Sequence, residues 1–104
     1  MEWKIDFVDE NEYTKFLKKL NKVTVVKLIN NVDLLEEYGI YLGLPFVKKL
    51  GDKLWELRIS GKQKVRIIYT YKGNLILFLN YFVKKSQKTP VKELRTAKER
   101  LKFV

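Results

Sequence analysis

The sequence lacks cysteine and histidine, and it has only two prolines and five glycines in 104 residues. Without cysteine it has neither a disulfide nor a thiolate metal site, and nothing indicates an oxidising compartment. Without histidine it lacks the commonest general base and the commonest transition-metal ligand. Any catalysis must therefore use Lys, Arg, Tyr, Asp or Glu, and we expect neither a metal nor a cofactor.

Long apolar runs are also missing. The longest covers residues 75–79, far short of a membrane span. Residues 1–10 are acidic and patterned like a strand rather than like a secretory signal. At this length, and with 46% hydrophobic residues, the chain is predicted to form a single compact domain. We expect that domain to be cytoplasmic and to have no membrane partner.

Positive charge is abundant and unevenly distributed. The net charge is +10; residues 1–45 hold six basic and eight acidic side chains, and residues 46–104 hold sixteen and four. This asymmetry indicates that one face meets a polyanion. The alternative is a solvated, lysine-rich surface that only keeps a small protein in solution.

The N-terminal half has the pattern of a scaffold. Trp3, Ile5 and Phe7 alternate with polar residues, which predicts a half-buried edge strand over residues 3–8. Asp9 and Glu12 form a capping-box pattern that predicts a helix over residues 10–20. Its expected core-facing residues are Tyr13, Phe16, Leu17 and Leu20.

A second helix is predicted over residues 22–41. The Asn30-Asn31 pair could divide it, and Leu44-Pro45 stops it. The helices are expected to cover one side of a sheet. Candidate core positions in this helix are Val26, Ile29, Leu34, Leu35 and Tyr38.

Three apolar runs follow, LWELRI, KVRIIYTY and LILFLNYFV, separated by SGKQ and KGN. Connectors that combine glycine with polar residues are typical of tight antiparallel turns, so we predict a three-stranded meander. The segment FVKKLGD, residues 46–52, leads into its first strand. Strict alternation in the third strand places Lys84 on the face of residues 76, 78, 80 and 82.

Charged residues within these strands are the first functional signal. For Glu56 and Arg58, ion pairing and a role in a site are both open interpretations. Arg66 favours a site, because an arginine between apolar neighbours needs a carboxylate or a phosphate as its partner.

The segment after the third strand is the second signal. Lys84, Lys85 and Lys88 precede Thr89-Pro90, where Thr89 is a candidate N-cap and Pro90 a candidate first helical residue. Lysines beside a helix N-terminus could cradle a phosphate, although such loops are usually only solvated. The final stretch, residues 91–103, predicts an amphipathic helix whose apolar side carries Leu94, Ala97, Leu101 and Val104. This side could pack on the sheet or be contacted by a partner protein, and packing on the sheet is favoured.

No metal or nucleotide signature is present, and carboxylates are scarce where basic residues gather. This composition disfavours two-metal phosphodiester chemistry. It leaves metal-free chemistry on RNA, in which the 2′-hydroxyl is the nucleophile and Arg and Lys stabilise charge at phosphorus.

The succession LPFVKKL, LWELR, VRIIY and FVKKSQKTP before a helix resembles the RelE/ParE toxin superfamily. It is most similar to the HigB-type branch related to phage-derived host-inhibition proteins. The resemblance implies an α+β fold with an N-terminal strand and helices on an antiparallel sheet and a C-terminal helix. It also implies ribosome-dependent mRNA cleavage and neutralisation by a small antitoxin, often a helix-turn-helix protein.

By motif, the resemblance assigns Arg58 and Arg66 to the scissile phosphate and Glu56 to orienting an arginine or taking a proton. Lys84, Lys85 and Lys88 would hold RNA, and one of them would act as general acid or base. The remaining predicted RNA- or ribosome-binding residues are Lys48, Lys49, Lys62, Lys64, Lys92 and Arg95. Some relatives use a C-terminal His or Tyr, whereas this chain has no His and no Tyr after Tyr81.

Two alternative functions remain open. ParE-like members use the same scaffold to poison DNA gyrase without cutting RNA, and an inactive RNA-binding relic is also compatible with the pattern. Arg66 and the lysine cluster favour the nuclease, because they suit charge stabilisation at phosphorus.

Overall fold

The structure is a computed structural model that describes residues 2–104. Its elements, in chain order, are β1 (Lys4–Phe7), α1 (Glu10–Lys18), α2 (Lys22–Tyr38), a 3-10 turn (Gly39–Tyr41), β2 (Val47–Gly51), β3 (Leu54–Ile59), β4 (Lys64–Lys72), β5 (Leu75–Lys84) and α3 (Val91–Leu101). Within residues 2–104, no helix is long and apolar enough to cross a membrane.

The five strands form one sheet in the order β1-β5-β4-β3-β2. The predicted meander is confirmed as β3, β4 and β5, which pair antiparallel. The predicted edge strand is β1, and it runs parallel to β5. The segment predicted only to lead into the meander contains β2, which forms the opposite edge beside β3.

Helices cover both faces of this sheet. On one face, Tyr13 of α1 and Leu28 and Leu35 of α2 pack against buried residues such as Leu57 and Phe78. On the other face, α3 packs through Ala97, with Leu94, Leu101 and Val104 around it, as the sequence predicted. The α+β fold class is therefore confirmed, with the N-terminal helices on one side and the C-terminal helix on the other.

The start of α1 follows the predicted cap in part. Asp9 is the N-cap, and its carboxylate accepts the backbone N–H of Glu12 at 3.0 Å. The Glu12 carboxylate instead accepts two hydrogen bonds of 2.9 Å from Arg100 at the end of α3. This ion pair joins the two helix layers around the side of the sheet.

Helix α2 is continuous through Asn30-Asn31, so the possible break does not occur. Asn21 caps its N-terminus by accepting the N–H of Thr24 at 2.8 Å. Asn31 donates its side-chain amide to the carbonyl of Arg58 at 3.1 Å. An asparagine that could have interrupted the helix is thus used to hold it on β3.

The predicted core face of α2 is partly wrong. Leu35 is buried as predicted, but Val26, Ile29 and Tyr38 are 59%, 47% and 48% exposed, and Leu34 is only half-buried. The face that packs on the sheet carries Thr24, Leu28 and Leu35. The apolar residues of α2 occur on more than one face, so periodicity alone did not select the buried one.

The strict alternation predicted for β5 is wrong, because the strand contains a β-bulge. Ile68 pairs with Asn80 and Tyr69 pairs with Phe78, so Leu79 is the extra residue. Beyond it the side chains exchange faces, and Phe82 lies opposite Arg66 on the α3 side. The bulge thereby moves Lys84 onto the face of Arg66, where strict alternation would not have placed it.

Polar contacts from α3 hold the bulge. Arg100 donates to the carbonyl of Leu79 at 2.7 Å. Asn80 donates to the backbone carbonyl of Glu93 at 3.0 Å and to its carboxylate at 2.9 Å. The backbone carbonyl of the extra residue therefore has a charged donor as its partner.

Candidate active site in a basic cleft

A cleft of about 540 Å³ opens between the β3–β4 hairpin and the end of β5 with its following loop. Six of its lining side chains are cationic and none is a carboxylate. The lining consists of Arg58, Lys62, Gln63, Lys64, Arg66, Val83, Lys84, Lys85, Ser86 and Gln87. A concave, cationic surface of this kind attracts anions, because the positive potentials of its side chains add together.

Arg58 and Arg66 lie directly opposite each other on β3 and β4, so both project from the same face. The Glu56 carboxylate lies near both guanidinium groups. Its Oε1 is 3.7 Å from Nε of Arg66 and 4.0 Å from Nε of Arg58. Ion pairing of Glu56 is therefore present, and its closer partner is the arginine on the neighbouring strand.

Arg66 is only 3% exposed and is held by the backbone. Its Nη1 donates to the carbonyls of Val65 at 2.9 Å and Ile59 at 3.3 Å. Burial lowers the pKa of Arg66, the Glu56 carboxylate raises it, and the neighbouring Arg58 lowers it further. Two guanidinium groups share one carboxylate, so the cluster keeps an excess positive charge.

Both arginines also keep unused donors. Within residues 2–104, the Nε atoms of Arg58 and Arg66 are buried and have no hydrogen-bond partner. Their distances to Glu56 exceed those of an ordinary N–H···O bond. A tetrahedral oxyanion presents several acceptors and could engage the guanidinium groups more fully than this single carboxylate does.

Thr89 connects the base of the cleft to the C-terminal helix. Its hydroxyl donates to Oε2 of Glu56 at 2.7 Å, and Glu56 is itself only 2% exposed. The prediction that Thr89 caps α3 is wrong, because Pro90 occupies the N-cap position and makes no side-chain cap. The hydroxyl is used instead to satisfy a buried carboxylate.

Lys84 enters the cleft beside this cluster. Partial burial lowers the pKa of its ammonium group. The positive charges of Arg66, Arg58 and Lys48 lower it further, and Glu56 opposes them. A lysine with a depressed pKa is a better proton donor than an isolated one.

Helix α2 supports the hairpin that carries the arginines. The Asn21 backbone N–H donates to the side-chain carbonyl of Gln63 at 2.9 Å. The Lys27 ammonium donates to the carbonyl of Ser60, in addition to the bond between Asn31 and the Arg58 carbonyl. These three contacts fix the hairpin against a helix and so position its cationic side chains.

The remaining predicted site residues divide into two groups. Lys62, Lys64 and Lys85 line the cleft, and Lys48 lies opposite Glu56 in the β2–β3 register. Lys49 lies over the ring of Trp55, 5.4 Å from its centre. Lys88, Lys92 and Arg95 are exposed and lie outside the lining of the cleft.

Four polar residues of the site were given no site role from the sequence: Gln63, Ser86, Gln87 and Thr89, the last of which was predicted only as a helix cap. The isolated Glu56 in an apolar strand was a signal that a polar partner must exist, but it could not identify Thr89. Within the described residues, no three His, Cys, Asp or Glu side chains lie close enough together to hold a metal ion.

The sheet order and the two helix layers match a RelE-like fold. Two solved YoeB–YefM toxin–antitoxin complexes from Staphylococcus aureus share it. One matches with a TM-score of 0.57 and 22% identity over 83% of this chain and 99% of that chain. The other, a heterotetrameric complex, matches with a TM-score of 0.54 and 22% identity over 75% and 92%.

The chain belongs to the family described as "Phage derived protein Gp49-like (DUF891)", whose sequence model matches residues 15–102. That region includes the end of α1, all of α2 and α3, strands β2 to β5 and every residue of the cleft. No curated protein matches the chain.

Proposed function

We propose that this protein is the toxin of a type II toxin–antitoxin system, of the HigB-type branch, and that it cuts mRNA on the ribosome. The observation that carries the proposal is the convergence of Arg58, Arg66 and Lys84 in one cleft whose lining has no carboxylate. Membership in a phage-derived family and the fold shared with YoeB support it.

The chemistry begins with the RNA 2′-hydroxyl. Its oxygen forms a bond to the adjacent phosphorus as its proton leaves to solvent, and the bond from phosphorus to the 5′-oxygen breaks. The products are a 2′,3′-cyclic phosphate and a free 5′-hydroxyl. Arg58 and Arg66 stabilise the extra negative charge on the phosphoryl oxygens. The Lys84 ammonium donates its proton to the departing 5′-oxygen, and its lowered pKa favours that transfer.

Glu56 has an orienting role in this proposal. It is buried below the two guanidinium groups and bound by Thr89, so it is better placed to align arginines than to reach a substrate hydroxyl. Lys62, Lys64 and Lys85 hold the RNA backbone on either side of the reacting phosphate. Lys48, Lys49, Lys88, Lys92 and Arg95 are proposed as outer contacts with RNA or the ribosome.

The proposed partners are translated mRNA, the ribosome and a small cognate antitoxin of the helix-turn-helix type. The proposed location is therefore the cytoplasm. The two solved complexes of similar fold each pair a toxin with its antitoxin, which supports an antitoxin partner.

Induced expression followed by mapping of mRNA 5′ ends tests this function. The wild-type protein is expected to give codon-phased cuts in translated messages. Lys84→Gln should abolish them, whereas the exposed Lys15→Gln on α1, with the same change in charge, should not. If mRNA stays intact and a DNA-damage response appears, the nuclease function is wrong and the protein acts as a ParE-like gyrase poison. Intact mRNA without any toxicity would indicate an inactive relic.

A further inference from the structure

A second basic pocket, of about 470 Å³, lies at the end of β4 remote from the cleft. Four lysines from three parts of the chain line it: Lys53 in the β2–β3 turn, Lys72 at the end of β4, and Lys98 on α3 with Lys102 at the C-cap of that helix. Thr70, Tyr71, Leu101 and Val104 form the remaining walls. Like the cleft, this pocket has no carboxylate in its lining.

The two basic sites share one face of the sheet. Arg66, Ile68, Thr70 and Lys72 alternate along β4 with the residues that face α1 and α2. Lys72 follows Arg66 by six positions along β4, which corresponds to roughly 20 Å. Helix α3 packs on the face between them. A single rigid polyanion could therefore reach both sites by lying along the α3 side of the molecule.

Two local features of the second pocket are unfavourable without a ligand. Lys98 in the last turn of α3 and Lys102 at its C-cap are four residues apart, a spacing at which like charges repel. Lys53 has φ 60°, in the left-handed region where glycine or asparagine is normal. Within residues 2–104, none of the four lysines takes part in an ion pair. A negatively charged ligand would offset this repulsion.

We propose that Lys53, Lys72, Lys98 and Lys102 form a phosphate-backbone site for structured RNA, separate from the cleft that acts on mRNA. The inference rests on the proposed function for the identity of the polyanion. RNA fits because its phosphates recur along a rigid backbone and the apolar walls formed by Leu101 and Val104 can contact ribose. Two sites on one rigid ligand bind more tightly than either site alone.

The salt dependence of RNA binding tests this site. The probe is a fluorescein-labelled RNA hairpin, titrated by fluorescence anisotropy between about 50 and 200 mM KCl. The test variant is K72Q/K98Q/K102Q. The matched control is K15Q/K18Q/K19Q, which removes three exposed lysines from α1 and its C-cap on the opposite face of the sheet. The test variant should reduce the slope of log K against log salt by about 2 to 3 and weaken binding about tenfold or more. The control should change both much less.

Lys53→Gly separates binding from folding. Glycine tolerates the left-handed backbone, so thermal stability should hold or rise while RNA affinity falls. Equal slopes for the test and control triples would overturn the proposal, because only net charge would then matter. The proposal would also be wrong if the test variant bound the RNA hairpin as tightly as the wild type but no longer bound polyglutamate. The pocket would then be a binding site for an acidic protein.

The two proposals fail in different ways. If the hairpin slopes differ as expected but mRNA is never cut, the proposed nuclease function is wrong and the second site stands. If mRNA is cut but the slopes do not differ, the nuclease function stands and the second site is wrong.

Discussion

Replacing Glu56 with glutamine removes the buried negative charge near both arginines and keeps the size of the side chain. The ion pair with Arg58, at 4.0 Å and with that arginine's side chain 31% exposed, contributes little. The pair with Arg66 joins two side chains that are 3% and 4% exposed. Breaking a buried pair costs about 3–5 kcal/mol. We expect the lower end, about 3 kcal/mol, because Arg66 keeps its two backbone acceptors.

Urea unfolding and thermal melting measure this cost. A loss of 3 kcal/mol corresponds to a fall in Tm of roughly 12 °C or more for a domain of this size. The control is Glu99→Gln, which makes the same charge change at an exposed position on α3. The reasoning is refuted if Glu56→Gln is as stable as the control, because the carboxylate would then not be compensating Arg66.

Three further predictions concern other parts of the fold. Burial and nearby cations lower the pKa of Lys84, so charging it costs native stability at neutral pH. Lys84→Gln should therefore be more stable than wild type at pH 7 in urea unfolding. That advantage should shrink as the pH rises through the lowered pKa toward 10.5. Arg100→Ala removes a bridge between two helices and a donor to the bulge, and should lower the unfolding free energy by about 1–2 kcal/mol. Gly39→Ala should cost about 2 kcal/mol or more in thermal melts, because φ is 52° and a Cβ would overlap Trp3, whereas Gly43→Ala meets no neighbour.

Local signals predicted the scaffold well. The Asp9 cap, the alternation in β1 and the glycine-containing turns of the meander each depend on residues a few positions apart. Such features are encoded within the segment that adopts them. The packing of α3 was equally accessible, because its apolar residues form only one stripe.

Features that depend on tertiary contacts were not accessible from the sequence. The bulge at Leu79 is held by Arg100, which lies 21 residues further along the chain. That bulge determines the face of the sheet on which Lys84 lies. The sequence could therefore predict that basic residues gather, but not that Lys84 shares a face with Arg66. Thr89 has the sequence context of a helix cap, and only the folded chain brings it to Glu56, 33 residues away.

The most direct test of the central claim is single-turnover cleavage of mRNA on purified ribosomes by Arg58→Gln, Lys84→Gln and the double variant. If both cations act on one phosphate, each single change should slow cleavage by about 10²–10³-fold. The double variant should then be little slower than the worse single one, because residues that act as a unit are not additive. Cleavage within about threefold of the wild-type rate by either single variant would contradict the account.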